Sequence, residues 1–392
     1  MRHVTISKIG SIRLKIFLLG TNITTGGAQK VLLDLAKWFF NQGIDVTAAF
    51  FYDRDNLYEE WKSQNSFPII CLDAWSNSDN KIQRFARLAK GWFKLLKNLK
   101  HGEYSGILTF THDSNLLGLP AAWLAGVPIR YGSHHVRYPS LSKFRILLHR
   151  LIINSRIATG LIAVSGFTKE QAVEEGVSDN KIKIIYNGID PQLFSQKCTS
   201  ESQPISDKDK FIILSVGRLV EQKGHAYLID SASKVLETFP NATFYLAGDG
   251  PLFNSYKSKI NDLGLSGRFV LLGNRDDIPK LLADSDLFVF PSLYEGLPIS
   301  LLEALASGVP VICSAIPAVS DIICDGQNGK LVPVRDSKAL AKGIIEVLCS
   351  ETLRTKFSIN GRKLVEERFS NSNMGYNYKK LFEENFINAS QK

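Results

Sequence analysis

Glu295 and Glu303 stand eight positions apart in the string PSLYEGLPISLLEALASGVPV (residues 291–311). A carboxylate accepts hydrogen bonds and donates none, so in a ligand pocket it suits hydroxyl groups. Upstream, DLFVF is an apolar run that reads as a buried strand. Downstream, ISLLEALASG has helical spacing and stops at Gly308; Pro298 stands where a first helical residue would, its missing N–H costing nothing. Glu295 is therefore expected in a loop at the carboxyl end of a strand, and Glu303 about two turns into the next helix. The N-terminus of that helix points its free N–H groups and partial positive charge into the intervening space, a ready site for phosphate. A ligand that is part diphosphate and part polyol would satisfy both features, and a nucleotide sugar fits. Two glutamates at this spacing are common on any helix, so the weight comes from what surrounds them.

A second candidate lies in FIILSVGRLVEQKGHAYLIDS (211–231). An apolar strand delivers Gly217 and Arg218 and, five residues later, Lys223 at a helix start. A planar guanidinium and a compact ammonium can clamp a diphosphate and hold its charge as it leaves. The same pair on a plain surface loop would be two solvated cations. A third is GTNITTGGAQKVLLDLAKWF (20–39), where Gly26 and Gly27 precede an amphipathic helix and let backbone N–H groups approach a phosphate. This is not the dinucleotide fingerprint: Gly20 is too far from Gly26, and no acidic residue ends the second strand in the right place. A nicotinamide oxidoreductase is disfavoured on that ground.

The 392 residues suit two domains, and 44% hydrophobic with 22% charged residues is ordinary soluble composition. Strand-like runs at 14–19, 46–51, 107–110, 128–131 and 161–164 alternate with helical patterns at 28–42, 82–99 and 142–157. After a polar linker at 191–210, strands at 211–216, 243–247, 269–272, 287–290, 310–313 and 330–332 alternate with helices at 224–238, 252–263, 277–284, 299–307, 337–348 and 351–366. Such alternation marks parallel sheets covered by helices, with ligands at the carboxyl ends of the strands. The net charge of +9 is uneven: residues 1–190 hold 24 Lys+Arg against 15 Asp+Glu, the remainder 23 against 23. Five scattered cysteines without metal spacing point to reduced thiols and a cytoplasmic location. IRLKIFLLG reads as a first strand and not a signal peptide, and no run approaches a membrane span.

Taken in order, Gly-Gly after the first strand, YNGID (186–190), SVGRLVEQKG, YLAGDGP (245–251) and LLGNRDDIPKLLADSDLFVFPSLYEGLPISLLEALASGVPVI (271–312) resemble the retaining glycosyltransferases of family 4, over nearly the whole chain and most densely from 211 to 335. The resemblance implies an α/β chain of the GT-B fold: two doubly wound Rossmann-like domains facing a cleft, with a C-terminal crossover helix. It places the acceptor domain at 1–190, the nucleotide-sugar domain at 191–369 and a tail helix at 370–392 that returns to the first domain. By the same resemblance Glu303 holds the ribose hydroxyls, Glu295 faces the donor sugar, and Arg218 and Lys223 clamp the diphosphate. Gly27 and the Ile299 amide make further phosphate contacts, and Gly26, Gly296, Leu297 and Pro298 are substrate-binding residues beside them. Asn274, Arg275 and Asp276 form the base-binding edge. In SHHVR (133–137), His134 is chosen over His135 as the residue touching donor sugar or acceptor.

Three D-x-D triplets, at Asp53, Asp207 and Asp284, are the metal signature of the other glycosyltransferase fold, but none lies in a nucleotide-binding position. No metal or cofactor is expected, the cationic clamp neutralising the leaving group instead. The basic surplus centres on KIQRFARLAKGWFKLLKNLK (81–100), with seven Lys+Arg and no acid, where Ile82, Phe85, Leu88, Trp92, Phe93, Leu96 and Leu99 share one broad face; SKFRILLHRLIINSR (142–156) is a second basic helix. These read as elements that lie on an anionic membrane, with Trp92 and Phe93 at the headgroup boundary, against the plainer alternative of a solvated basic face. No nucleic-acid motif accompanies them. The expectation is a retaining transferase, peripheral at the inner membrane face, that moves a sugar from a UDP-linked donor to a saccharide or lipid-linked acceptor in surface polysaccharide assembly. The alternatives are a non-catalytic sugar-nucleotide-binding partner of a glycan-assembly complex and a nucleotide-sugar epimerase.

Overall fold

A computed structural model describes residues 13–24, 26–76, 79–135, 142–194 and 211–390. The chain divides into two compact units, Met1–Asn187 with Asn371–Lys392, and Gly188–Ser370. The first contains, in order, β1 (Lys15–Ile23), α1 (Gly27–Asn41), β2 (Asp45–Asp53), α2 (Tyr58–Gln64), β3 (Ile69–Cys71), α3 (Lys81–His101), β4 (Gly106–Thr109), α4 (His112–Leu124), β5 (Ile129–His134), α5 (Lys143–Asn154), β6 (Gly160–Ala163), α6 (Gly166–Glu174) and β7 (Ile182–Ile184). The second contains β8 (Ile212–Val216), α7 (His225–Thr238), β9 (Thr243–Ala247), α8 (Phe253–Asp262), β10 (Phe269–Gly273), α9 (Ile278–Ala283), β11 (Leu287–Phe290), α10 (Ile299–Ser307), β12 (Val311–Ser314), β13 (Lys330–Val332), α11 (Ser337–Cys349) and α12 (Glu351–Arg368). The tail helix, α13 (Asn371–Ser390), ends the described chain.

Both sheets are parallel throughout, ordered β3-β2-β1-β4-β5-β6-β7 and β10-β9-β8-β11-β12-β13. A parallel sheet is covered on both faces, which is why its central strands read as unbroken apolar runs such as FLL and LFVF. In the first unit Phe17, Leu19 and Ile107 pack with Leu95, Leu99, Ala121 and Ala122 of α3 and α4. In the second, Ile213, Phe244, Leu246, Val289 and Ile312 pack with Leu228, Ile229, Ala232 and Val235 of α7 and Ile344 and Val347 of α11. Each such side chain taken from water contributes roughly 1.5–3 kcal/mol before chain entropy is counted.

Helix α13 belongs to the first unit. Phe382 is fully buried and packs edge-to-face with Phe39 of α1 and Tyr131 of β5, both at 6.5 Å between ring centroids. Gly106 leaves room for that ring: a Cβ there would lie 2.5 Å from it.

Each sheet reverses its winding at one place, β1/β4 in the first unit and β8/β11 in the second. Loops leaving the two strands at such a point diverge to opposite sides and open a crevice at the carboxyl edge, the usual ligand position in doubly wound sheets.

Candidate active site

In the second unit the loops after β8 and β11 meet at this crevice. The turn Glu221–Lys223 is tied to the loop 291–295 from both sides: Leu293 N donates to Gln222 O (2.8 Å), and Gln222 Nε2 donates to Tyr294 O (2.9 Å). Gly224 closes the turn in the left-handed region (φ +62°) and caps α7, with Pro291 O so near that a Cβ would lie 2.1 Å from it. Only glycine fits there.

This stapling brings Lys223 to Glu295. The ammonium donates to Glu295 Oε1 at 2.6 Å, with side-chain exposures of only 19% and 11%. Ser292, 1% exposed, donates its hydroxyl to the same oxygen at 3.0 Å. The Lys223 ammonium also lies 5.7 Å from the centroid of the Phe290 ring. Glu295 is thus held through one carboxylate oxygen on the rim of the crevice. Arg218 is exposed and makes no ion pair among the described residues. His225, the first residue of α7, is buried beside Gly217, and burial together with the Lys223 charge pushes its pKa down to about 3, so the ring is neutral.

Helix α10 begins at Ile299 with Pro298 as its N-cap and no side chain capping it, so the first-turn N–H groups face outward for an anion. Glu303 is buried four residues further on, about 6 Å along the axis, one turn in and not the two expected. Gly296, Leu297 and Pro298 are buried between the carboxylate loop and this helix. Asn274 and Arg275 lie apart in the exposed loop after β10, where Arg275 forms a two-pronged pair with Asp277 (2.8 and 2.6 Å). Hydrogen bonding to Asp277 raises the Arg275 pKa, and the guanidinium is occupied within its own loop.

In the first unit Gly27 opens α1 and Gly26 is its extended N-cap, again without a side-chain cap. His134 ends β5 only 2% exposed, where a residue that touches substrate was expected; it lies 6.5 Å from His112 and 6.4 Å from His149, ring to ring. His135 is half-buried and bonds to Ser133 Oγ (3.0 Å), and Val136 and Arg137 lie outside the described residues. His112, His149 and Glu175 bring donor atoms within 4.8 Å of one another. Coordination fits them poorly, because the His112 and His149 rings face each other at 4.0 Å and 37° and their in-plane lone pairs do not converge. Asn115 Nδ2 donates both to Ser133 O and to His149 Nε2 (3.0 Å each), which assigns the ring hydrogen of His149 to Nδ1. Burial lowers His112 to about 4 and His149 well below its ordinary value, leaving a cluster of neutral rings.

Asp53 and Asp286 of the D-x-D triplets have structural partners. Asp53 accepts from the N–H groups of Leu57 and Tyr58 (3.1 and 2.9 Å), and Asp286 from Ile212 N (2.8 Å); the Asp207 triplet lies outside the described residues. Ser292, Gln222 and the histidine cluster were not picked out from sequence, and the serine three residues before Glu295 was the one available signal.

Residues 25–193 match the model for Glycosyltransferase Family 4, and residues 197–364 that for Glycosyl transferases group 1. A galactosyltransferase of Escherichia coli, UDP-Gal:alpha-D-GlcNAc-diphosphoundecaprenol alpha-1,3-galactosyltransferase, is 31% identical over 296 residues, 71% of this chain and 76% of its own. The chain is a family 4 glycosyltransferase. An N-acetylgalactosaminyltransferase of Campylobacter jejuni that acts on a diphospho-undecaprenol acceptor is 28% identical over 88% of this chain and 92% of its own. Anabaena HepE, solved with UDP-glucose, superposes with a TM-score of 0.81 at 24% identity over 95% of this chain and 100% of its own, which establishes the GT-B fold for this transferase. The oxidoreductase and epimerase readings fall with that membership.

Proposed function

We propose that this glycosyltransferase moves a hexosyl group from a UDP-linked donor to a lipid-linked or saccharide acceptor, with retention of anomeric configuration and without a metal. The observation that carries the reading is the joined pair of loops at the β8/β11 crevice, which holds Lys223, Glu295 and Ser292 beside the open N-terminus of α10. Lys223, Arg218 and the Ile299 amide would take the diphosphate, Glu303 the ribose and Glu295 the sugar hydroxyls; Gly26, Gly27 and His134 are the first unit's candidates. Charge growing on the departing diphosphate would meet these cations and helix N–H groups, the work a divalent ion does elsewhere. In this reading the acceptor attacks on the face the nucleotide leaves and its proton passes to the departing phosphate; a double displacement through a carboxylate is the alternative route to retention. The galactosyltransferase and N-acetylgalactosaminyltransferase relatives both carry undecaprenyl diphosphate acceptors in their names, which supports a lipid-linked substrate.

For such an acceptor the enzyme would work at the inner membrane surface. Among the described residues no helix is long and apolar enough to cross a membrane. Burial limits which residues of α3 are available to touch lipid. Trp92 turns inward, its Nε1 donating to Leu117 O (3.0 Å), and Leu95 and Leu99 are core residues. What remains outside on α3 is Ile82, Phe85 and Phe93, at 81%, 77% and 64% exposure, and α5 adds Phe144, Leu147, Leu148 and Leu151 at helical spacing. Helix α4 lies between α3 and α5, in contact with both. Lys81, Lys90 and Lys97 on α3 are exposed and make no ion pair among the described residues, whereas Lys94 is tied to Asp73 (3.1 Å). Exposed aromatics among free cations suit an anionic bilayer.

A panel of nucleotide sugars assayed for hydrolysis, with and without chelator, tests the chemical reading. Slow transfer to water from one UDP-sugar is expected, unchanged by chelator and with the α-anomer released first. Failure to hydrolyse any member, or abolition by chelator, refutes it.

A further inference from the structure

The Lys223–Glu295 pair sets a competition that the reaction must resolve. Each group is the other's counter-ion in a largely buried pair, and removing one leaves the other without its partner. A diphosphate at the α10 N-terminus carries more negative charge than one carboxylate and lies where the same ammonium would be its clamp. The Lys223 stem runs past Gly217, just after β8, where a Cβ would be 3.4 Å from its Cδ, and the torsions of a lysine's flexible stem can re-aim its ammonium. Ser292 does not share this freedom: it is fully buried and its hydroxyl already holds Glu295 Oε1.

We propose that Lys223 is a counter-ion shared between Glu295 and the donor diphosphate, drawn from the carboxylate to the phosphates as the donor enters, while Ser292 keeps the carboxylate aimed at the sugar. This rests on the reading that Lys223 contacts the diphosphate. The sugar's hydroxyls take over the hydrogen bonds that Glu295 loses. Once the sugar is transferred, UDP alone cannot do so, and the pull of an unpaired buried carboxylate on Lys223 favours release of the product. Ser292 is a positioning residue in this scheme.

Titration of UDP into the wild type, Lys223→Ala, Glu295→Gln and the double variant tests the scheme. Lys223→Ala should weaken UDP about tenfold or more, the value of a hydrogen bond to a charged group. Glu295→Gln, which keeps the side chain's shape, should tighten UDP about fivefold by freeing the ammonium. In the Lys223→Ala background the same change should do nothing. If Lys223→Ala binds UDP as the wild type does, the diphosphate reading itself is wrong. If Lys223→Ala weakens UDP but Glu295→Gln fails to tighten it, or tightens it equally in both backgrounds, the diphosphate reading survives and the sharing is refuted, the last result indicating plain repulsion across the site. Ser292→Ala should lower hydrolytic turnover about tenfold with UDP affinity unchanged, and Ser292→Thr should restore it; loss of UDP affinity in Ser292→Ala, or no rescue by threonine, would remove Ser292 from this role.

Discussion

Alanine at Gly224 tests whether the two loops of the second unit act as one body. Two costs are separable in the structure. The first is conformational: an L-residue in the left-handed region loses roughly 1 kcal/mol relative to glycine. Gly264 shares that conformation, φ +67° against +62°, but has nothing within 4 Å of where a Cβ would stand, so Gly264→Ala reports this cost alone. The second is steric and belongs to Gly224 only, where the new Cβ would sit 2.1 Å from Pro291 O and 3.1 Å from Pro291 C. Relieving it means moving backbone, and forced overpacking costs roughly 1–3 kcal/mol. Gly224→Ala should therefore lose about 2–4 kcal/mol and Gly264→Ala about 1 kcal/mol. For a unit of this size, where 1 kcal/mol is about 2–4 °C, scanning calorimetry should show a clear separation between the two midpoints. The displaced atoms lie between Lys223 and Ser292, and misplacement of a site by about 1 Å can cost about 10²-fold in rate. Donor hydrolysis should thus collapse in Gly224→Ala and survive in Gly264→Ala. Equal losses of midpoint in the two variants, or normal turnover in Gly224→Ala, would show that the β8 and β11 loops are not mechanically joined.

The remaining expectations concern charge. Arg218→Ala should reduce turnover roughly 10²–10³-fold with little change in midpoint, since its side chain is exposed and supports no packing; a normal rate removes it from the clamp. Glu303→Ala should weaken UDP binding in calorimetry, because the ribose is common to donor and product, and undiminished affinity would mean the ribose lies elsewhere. His112, His149 and His225 are held neutral when folded, with His112 at about 4 and His225 at about 3, so the unfolded chain binds protons first as pH falls below about 6.5. Stability is complete above that pH and drains toward about pH 3, where His225 takes its proton, His112 alone accounting for up to about 3 kcal/mol; midpoints that stay flat from pH 7 to 5 would contradict it. Sedimentation with anionic vesicles should be strong at low salt and fade as salt rises, because screening acts within about 10 Å at 0.1 M. Reversing Lys81, Lys90 and Lys97 to Glu should abolish it without touching donor hydrolysis, and persistent binding by that variant would confine α3 to a solvated role.

Much of this chain was legible as sequence because its physics is local. Strands buried on both faces must be continuous apolar runs, and Gly308, which ends α10 in the left-handed region, marks a stop that needs no distant contact. Glu295 after β11 and Lys223 before α7 followed from the same punctuation. What stayed hidden depended on partners far along the chain. Helix α4 was not read from sequence and contains Gly118 and Pro120, both poor helix formers; Gly118 lets the helix press against Leu19 and Thr109, and packing outweighs propensity. The edge strands β3 and β7, three residues each, are held by pairing along the edges that β2 and β6 offer. The apolar face of α3 looked single, yet the sheet takes Leu95 and Leu99 and leaves Ile82, Phe85 and Phe93 outside, a choice made by the partner and not by the helix. The 2.6 Å union of Lys223 with Glu295 spans 72 residues, and sequence placed each at a strand end without saying that the two ends adjoin. Only the strand order, which sets β11 beside β8, decides that, because neighbours in a sheet are chosen by how helices cover its faces and not by distance along the chain.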